Sequence, residues 1–586
     1  MQHFSIQLDN HKFAERPISY RFSELVHIIE CRETEDVARA FSEIENAVRS
    51  GMHAAGFLCY EAASAMDSVY QTQDQTDLPL MCFGVFKKRQ EVCAEILHDF
   101  SSRSHILDMQ PDITREQFNA AISRIHSYIA SGDTYQVNFT FRLNGVFSGH
   151  SSHFYQQMCH NQRAEFSALI QTDDYAIISA SPELFFRWQN GVLETRPMKG
   201  TVRRGRNEIE DLKNRDYLLT SEKERAENVM IVDLMRNDMN RISRPGSVHV
   251  PALFKVEKYE TLMQMTSSVR SKLAPDTSFF EVFKALFPCG SITGAPKIKT
   301  MSIIKNLENS ARGIYTGNIG YFSPGPEAVF SVAIRTAIIQ HKTRKIQLGV
   351  GSGITIGSNA AAEYDESLLK SKFIFKQCIR FQLVETMRFE MGRGILLLEN
   401  HLQRLAASAR YFIFAYPSAT VIESLQHFVE TTKMEAARIR LLLSRDGSFQ
   451  IQVMPFKKIL NPKPVLLKLC NTPVQSSDVF LFHKTTHRHV YNSRRAEVDD
   501  CDDIIMMNEK GEVTESCIGN IIVQRGDRWL TPPVSSGLLA GTYRQHLLQE
   551  GRIEEQIITR RDLLAAEKIC RINSVRGMEK CILAID

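Results

Sequence analysis

The feature that most constrains this chain is the change of pattern between Phe373 and Gln382. A helical pattern ends there. A strand-like run at Val384–Phe389 starts a new alternation, with a turn at Met391–Gly394 and a further strand at Ile395–Leu398. At 586 residues the chain is too long for one core, since domains cluster near about 150 residues. The break therefore predicts two folding units. The stretch joining them is short and not rich in Gly and Ser, which predicts docked units rather than beads on a flexible tether.

In the first unit, residues 1–110 mix short alternating apolar runs with one helical pattern, Thr34–Met52, and read as the edge of a larger domain. Residues 111–376 read as its catalytic part. Thr114-Arg-Glu-Gln117 has the spacing of a capping box, so a helix is expected from there to Ala130, ended by Ser131-Gly-Asp133. Strand-like runs follow at Gln136–Leu143, Tyr175–Ala180, Glu183–Gln189 and Val192–Arg196, then a helix over Ser221–Met235. Further strands are expected at Ile319–Phe322, Ala328–Ile339 and Ile346–Val350. Strands and helices come in blocks rather than in βαβ order, which predicts an α+β fold with a large antiparallel sheet covered by helices.

Three features of this unit carry chemistry. The stretch ETRPMKGT, Glu194–Thr201, sets Lys199 in an apolar, turn-like context. Partial dehydration there lowers an amine pKa and frees the neutral nucleophile, although a solvated lysine at a strand end satisfies the same pattern. A spacing of three puts Glu224 and Glu227 on one helix face, and Glu363-Tyr-Asp-Glu366 repeats the arrangement. Two such pairs suit magnesium, which takes one or two direct carboxylates and shares its shell with an anionic substrate; a solvated helix face also explains either pair alone. The third feature is FPCGSITGAPK, Phe287–Lys297, with Gly, Ser and Thr ahead of a helix expected near Pro296. Backbone N–H groups there, with the Ser291 and Thr293 hydroxyls, predict a carboxylate site, and Arg335 has the planar fork to clamp a second carboxylate. A magnesium-bound dicarboxylate substrate follows.

Taken together, SPELFF from Ser181, TRPMKGT from Thr195, KERAENVMIVDLMRND from Lys223, FPCGSITGAPKI from Phe287, the IGYF to AIRTA region and AEYDESLLK from Ala362 resemble, in order and spacing, the chorismate-utilising enzymes. The likeness is strong over Glu116–Lys372 and weak over residues 1–110. It implies that Lys199 attacks carbon 2 of the chorismate ring while Glu183 protonates the departing carbon 4 hydroxyl, and that ammonia then enters at carbon 4 and expels the lysine. Anthranilate-forming members usually carry a small residue such as alanine where Lys199 stands; aminodeoxychorismate-forming members carry lysine. The resemblance also implies magnesium on Glu224, Glu227, Glu363 and Glu366, and substrate contacts from Ser291, Thr293, Gly294, Tyr315, Arg335, Gly353 and Lys370. Two departures stand out. Many members have a histidine where this chain reads Gln264-Met-Thr266, and an Asp-Ser pair where it reads Gly357-Ser358. No glutaminase nucleophile in a GxCxGxQ setting is present, so ammonia is expected from a separate glutamine amidotransferase subunit.

The second unit, residues 383–586, reads as a small lobe at 383–460 and a larger lobe at 471–586. A helix is expected near Asn400–Tyr411, with strands at Ala437–Leu443 and Phe449–Pro455. Val479–Lys484 reads as an apolar strand ending on a lysine, a position suited to an aldehyde cofactor and equally to a strand-end charge. Val513-Thr-Glu515 offers a carboxylate for a pyridinium nitrogen, Gly541-Thr542 a helix start for phosphate, and Arg404 a phosphate cation. With Glu385-Thr-Met-Arg388 and Arg571-Ile-Asn-Ser574, these resemble the class IV pyridoxal-phosphate enzymes over Leu383–Asp586. The resemblance implies a two-lobed α/β domain, pyridoxal 5'-phosphate bonded to Lys484, and Glu515 holding the pyridine nitrogen protonated. It further implies phosphate contacts from Arg404, Gly541 and Thr542, cofactor contacts from Asn573 and Ser574, a substrate contact from Thr386, and a homodimer through this unit.

That family contains aminotransferases and a lyase of 4-amino-4-deoxychorismate. Fusion to an aminating unit favours the lyase, which expels pyruvate and leaves 4-aminobenzoate. The alternative is an anthranilate-forming unit joined to an amino-acid aminotransferase.

Composition narrows the remaining classes. A hydrophobic fraction of 43% with 24% charged residues is that of a globular protein and excludes disorder. With 71 basic against 67 acidic residues, and basic clusters as short as Arg203-Arg204-Gly205-Arg206, nucleic acid is not an expected partner. The N-terminus has no targeting pattern and no apolar run approaches about 18 residues, which predicts a cytoplasmic protein with no membrane contact. The 12 cysteines form no CxxC pair, so neither a zinc site nor a disulfide framework is expected.

Overall fold

In this computed structural model residues 3–12, 18–74, 77–93, 104–375, 379–457 and 463–584 are described. The expected break at Phe373–Gln382 thus falls partly outside the described residues, as does the end of the small lobe near residue 460. The chain forms two units: Met1–Arg203 with Arg215–Cys378, and Arg204–Asn214 with Ile379–Asp586.

Among the described residues the first unit is an 18-stranded sheet in which every pairing is antiparallel. Its longest uninterrupted register runs from Val137↔Ile354 to Val146↔Lys345, joining the strands Gln136–Ser148 and Lys345–Ile354. Helices cover it, as the block order of the sequence predicts. The helices Val37–Arg49 and Phe279–Leu286 close one core, in which Phe279 and Phe322 stack at 4.2 Å. The helix Arg115–Ala130 closes another through Phe118, whose ring lies 5.5 Å from Phe139. The expected capping box is present: Thr114 Oγ1 accepts the Gln117 N–H, and the Gln117 side chain accepts the Thr114 N–H.

One expected strand proves to be two. Ala328–Ile339 is broken into Glu327–Val332 and Thr336–Gln340, with Arg335 at φ 53° between them. The first piece pairs with Leu184–Gln189 and the second with Tyr175–Ser181, so the break lets one run serve two parts of the sheet.

Among the described residues the second unit has a four-stranded antiparallel sheet, in which Leu383–Glu390 pairs with Ala436–Leu443, and an eight-stranded mixed sheet. In the mixed sheet Val465–Leu469 lies parallel to both Asp503–Met507 and Gly577–Leu583. Two local expectations fail. Ile395–Leu398 is not a strand: only Gly394–Ile395 pairs, Leu397 turns to φ 56°, and a helix runs over Leu398–Phe412 because Leu405, Ala409 and Phe412 share one apolar face. Val479–Lys484 is not a strand either. Asp478 accepts the Phe480 N–H at 2.9 Å and bends Val479–Leu481 into a 3₁₀ turn ahead of the lysine. Among the described residues no helix is long and apolar enough to cross a membrane, and no two cysteines are joined in a disulfide.

Candidate active sites

In the first unit, Lys199 owes its position to an irregular strand. Met198–Arg203 pairs with Leu262–Lys272, but the register shifts between Met198↔Thr266 and Thr201↔Gln264, across Lys199 and Gly200. Such a shift re-aims one side chain. Gly200 has φ 91°, and a Cβ there would stand 3.2 Å from both Glu224 Oε2 and Met265 Cβ, so glycine alone lets this strand approach the carboxylate helix. Asn228 Nδ2 donates to the Lys199 carbonyl at 3.3 Å while Asn228 Oδ1 accepts from Ser267 Oγ at 2.6 Å, which anchors the turn of chain.

The Lys199 amine lies against Gly353: a Cβ on that glycine would be 2.8 Å from Nζ. Lys199 lines a cavity together with Glu224, Glu227, Glu363, Glu366 and Arg335. Burial lowers its pKa, with Glu227 the largest opposing influence. Glu183 is 3% exposed, accepts a 2.6 Å hydrogen bond from Ser291 Oγ, and is pushed up to about 7 by burial. A carboxyl that keeps its proton near neutrality can act as a general acid.

The four glutamates face one space, from the helices Glu222–Asn240 and Ala360–Leu369. Among the described residues no three acidic, His or Cys groups are drawn together into a closed metal-holding cluster. Burial raises the Glu224 pKa, and repulsion from Glu227 and Glu366 adds to it. A divalent cation relieves that repulsion, so the donor set fits a magnesium ion whose shell is completed by water and substrate.

The glycine-rich stretch is placed differently from its expected role. Ser291 spends its hydroxyl on Glu183, Thr293 Oγ1 donates to the Cys289 carbonyl at 3.0 Å, and Gly294 pairs with Val137 in the sheet. Ile292 of this loop lines the cavity, while Ser291, Thr293 and Gly294 lie behind it with Glu183, so in this structure the Ser291 hydroxyl braces the acid. Tyr315, Gly353 and Lys370 do line it; Lys370 Nζ lies 3.0 Å from Glu366 and 3.1 Å from the Gly351 carbonyl. Arg335 reaches it with one nitrogen on Gln162 Oε1 at 2.5 Å. Gln264 lines the same cavity, where an amide can bond a substrate but cannot carry a proton.

Gln136 was not expected. It is 0% exposed, both amide atoms lack a hydrogen-bond partner among the described residues, and Nε2 lies 3.0 Å from a Cβ built on Gly353, which is also 2.8 Å from the Lys199 amine. Its only sequence signal is a polar residue opening an otherwise apolar strand.

In the second unit all eight predicted residues, Thr386, Arg404, Lys484, Glu515, Gly541, Thr542, Asn573 and Ser574, line one cavity. The Lys484 carbonyl accepts the Val384 N–H at 2.9 Å, and burial pushes the amine down to about 8. Glu515 is 4% exposed and fully bonded: Oε1 accepts from Tyr491 Oη at 2.8 Å and Leu539 N at 3.0 Å, and Oε2 from Asn520 Nδ2 at 3.1 Å. Burial nonetheless raises it to about 7. Gly541 caps the helix Thr542–Gln549, and a Cβ there would fall 2.1 Å from Asn520 Oδ1, so the site needs glycine.

Arg404 is held by a residue whose role the sequence did not suggest. Glu385, 1% exposed, takes Arg404 Nε at 2.9 Å and Nη2 at 2.6 Å, and His401 Nδ1 lies 2.6 Å from the same carboxylate. Despite burial, the Arg404 charge and the hydrogen bond to His401 hold Glu385 down at about 2. Arg404 keeps Nη1, bonded to the Ala540 carbonyl at 3.3 Å, on the side of the helix start. A dehydrated amine, a braced carboxylate and a helix start flanked by arginine fit a pyridine aldehyde carrying phosphate.

A model for chorismate binding enzymes matches residues 12–376, and one for class IV amino-transferases matches residues 382–581. The chain is 40% identical over 270 residues to aminodeoxychorismate synthase component 1 of Escherichia coli, covering 46% of this chain and 59% of that protein. It is 36% identical over 290 residues to anthranilate synthase component 1 of Aquifex aeolicus, covering 50% and 58%. The chain thus spans under two thirds of the length of these relatives. A solved anthranilate synthase component I from Streptococcus pneumoniae superposes with a TM-score of 0.55 at 26% identity, over 62% of this chain and 92% of that one.

Proposed function

Because this chain belongs to the chorismate binding enzyme family, we propose that its first unit aminates chorismate to 4-amino-4-deoxychorismate and that its second removes pyruvate from that product to give 4-aminobenzoate. The observation that carries the first half is Lys199, aimed by the strand irregularity into a cavity with the four glutamates and with a depressed pKa. Relatives of both product types match at similar identity, so the choice of amination at carbon 4 over anthranilate formation rests on the lysine.

Lys199 attacks carbon 2 of the ring through its neutral amine, and the carbon 4 hydroxyl departs as water with the Glu183 proton. Ammonia then attacks carbon 4, and the bond between carbon 2 and Lys199 breaks to restore the amine. Arg335 and Lys370 supply positive charge for the substrate's carboxylates. Glu224, Glu227, Glu363 and Glu366 would hold a magnesium ion, which supplies a compensating charge for the ring carboxylate. Ammonia comes from a separate glutamine amidotransferase, as the component 1 names of the relatives suggest.

In the second unit, bound pyridoxal phosphate supplies an electron sink. Lys484 would hold the cofactor; its amine takes the carbon 4 proton of the aminated ring, and a proton passed to the departing enolpyruvyl group releases it as pyruvate and leaves an aromatic product. Glu515 would hold the pyridine nitrogen protonated, and Arg404 with Gly541-Thr542 would receive the phosphate; all of them line the Lys484 cavity.

The test supplies the chain with chorismate, magnesium, ammonium and pyridoxal phosphate. Formation of 4-aminobenzoate and pyruvate in equal amounts supports the reading. Anthranilate as the product would favour the alternative pairing with an aminotransferase.

A further inference from the structure

Residues 204–214 lie, in sequence, between two parts of the first site. The strand Met198–Arg203 with Lys199 precedes them, and the helix Glu222–Asn240 with Glu224 and Glu227 follows. They nevertheless belong to the second unit. The segment is folded on itself by Asp211, which accepts from Arg204 Nε at 2.9 Å, Arg204 Nη2 at 2.7 Å and the Gly205 N–H at 2.9 Å. It is also bonded outward at both of its arginines. Arg204 donates to the Tyr411 carbonyl at 2.6 Å with its guanidinium 4.4 Å over the Tyr411 ring, and Tyr411 Oη donates to the Gly205 carbonyl at 2.7 Å. Arg206 donates to the carbonyls of Ser476 at 3.1 Å and Ser535 at 3.3 Å and lies 4.8 Å over the Phe482 ring.

These contacts converge on His483, the residue before Lys484. His483 is 5% exposed and stacks on Tyr411 at 4.4 Å. Its Nε2 lies 3.2 Å from the Arg206 carbonyl oxygen and its Nδ1 2.9 Å from Ser408 Oγ. A carbonyl oxygen only accepts, so Nε2 carries the hydrogen and Nδ1 accepts from the Ser408 hydroxyl. Both ring nitrogens are then satisfied by a neutral imidazole. Burial pushes His483 down to about 4, Arg204 adds to the effect, and Asp211 and the Arg206 carbonyl oppose it. The backbone just beyond is pinned too, because Val384 donates to the Lys484 carbonyl at 2.9 Å and Thr486 donates to the Gln382 carbonyl at 2.9 Å.

We propose that residues 204–211 are a positioning strap for the second site: they hold His483 from the Arg206 carbonyl, close over Phe482, and so fix the chain that presents Lys484 to its cavity. The inference rests on the reading of Lys484 as the cofactor lysine. Its consequence is that the second site is built partly from a segment encoded inside the first, so a chain beginning at Ile379 lacks one wall of the support for its lysine. None of the strap residues touches a reacting atom. They act through His483, in the way a supporting shell holds a functional group within tight limits.

The test uses the full chain, with Arg204→Ala/Arg206→Ala as the strong variant and Tyr411→Phe as a mild one that deletes only the bond to Gly205. Two quantities are read: backbone hydrogen exchange over residues 482–486 in cofactor-free protein, and the pH midpoint for the rate of pyridoxal phosphate uptake, followed by absorbance. In the double variant, exchange in this segment is expected to rise about tenfold or more, as for a locally released loop. The uptake midpoint is expected to move upward as water reaches the Lys484 amine. Tyr411→Phe is expected to give a smaller change of the same sign, which keeps the test valid if the double variant folds poorly. Unchanged exchange and an unchanged midpoint in variants of a parent that loads the cofactor would overturn the strap. Failure of the parent itself to load the cofactor would instead overturn the reading of Lys484, while the exchange data still report on the strap.

Discussion

The two lysine sites differ in how their charges are satisfied. Around Lys484, Glu385 is bonded to Arg404 and His401 and Glu515 to three donors, so the polar frame is complete before any ligand arrives. Around Lys199 the frame is open. Among the described residues Glu224, Glu227 and Glu363 are in no ion pair, and both amide atoms of Gln136 lack partners. A resident cofactor needs a preorganised cradle, whereas a substrate and a metal ion bring the missing charges with them. On the proposed function, the contrast assigns the unpaired groups of the first site to its chemistry and the paired groups of the second to its architecture.

Replacing either lysine attacks this contrast most directly. Lys484→Ala is expected to abolish release of 4-aminobenzoate from supplied 4-amino-4-deoxychorismate and to remove the visible absorbance of the loaded protein; a surviving band would reject the assignment. Lys199→Ala is expected to lower amination by about 10³-fold or more while leaving the second activity intact. Joint loss of both activities would deny that the sites work independently. Glu183→Gln should cost about 10²–10⁴-fold in amination, the usual worth of a general acid.

The pH dependence sharpens the same comparison. Glu183 titrates near 7 and acts when protonated, so amination should fall as pH rises through about 7, and Glu183→Gln should lose that limb. Lys484 titrates near 8 and reacts when neutral, so cofactor uptake should rise with pH and level off above about 8. Glu385→Gln probes architecture alone: it leaves Arg404 in a buried setting without its counter-charge. A stability loss of about 3–5 kcal/mol in chemical denaturation is expected, with the amination rate unchanged. The smallest effect is expected at Gly200→Ala. The positive φ and two 3.2 Å contacts predict a cost of about 1–2 kcal/mol and a weakened amination rate.

Much of this was legible along the chain because the signals are local. The Thr114 capping box, the two glutamate pairs and the Gly541 helix start each depend on residues a few positions apart, and each appears where expected. Features that depend on distant partners are not legible in this way. The Phe287–Lys297 stretch reads as an anion loop, and nothing near it reveals that the Ser291 hydroxyl bonds Glu183. The Ala328–Ile339 run looked continuous because nothing nearby reveals that its halves pair with different strands.

The sequence by itself determined the two-part plan and the α+β class of the first unit and singled out both lysines as candidates, because periodicity, capping and motif spacing are properties of neighbours. Only the tertiary structure decided what surrounds those lysines. Gln136 and Lys199 come to Gly353 from different strands, Glu385 claims Arg404 from an adjacent strand, and residues 204–214 lie with the second unit despite their place in the chain. Burial, and with it the shifted protonation of Glu183, Lys484 and His483, comes from packing between segments far apart in sequence, which no short stretch of residues encodes.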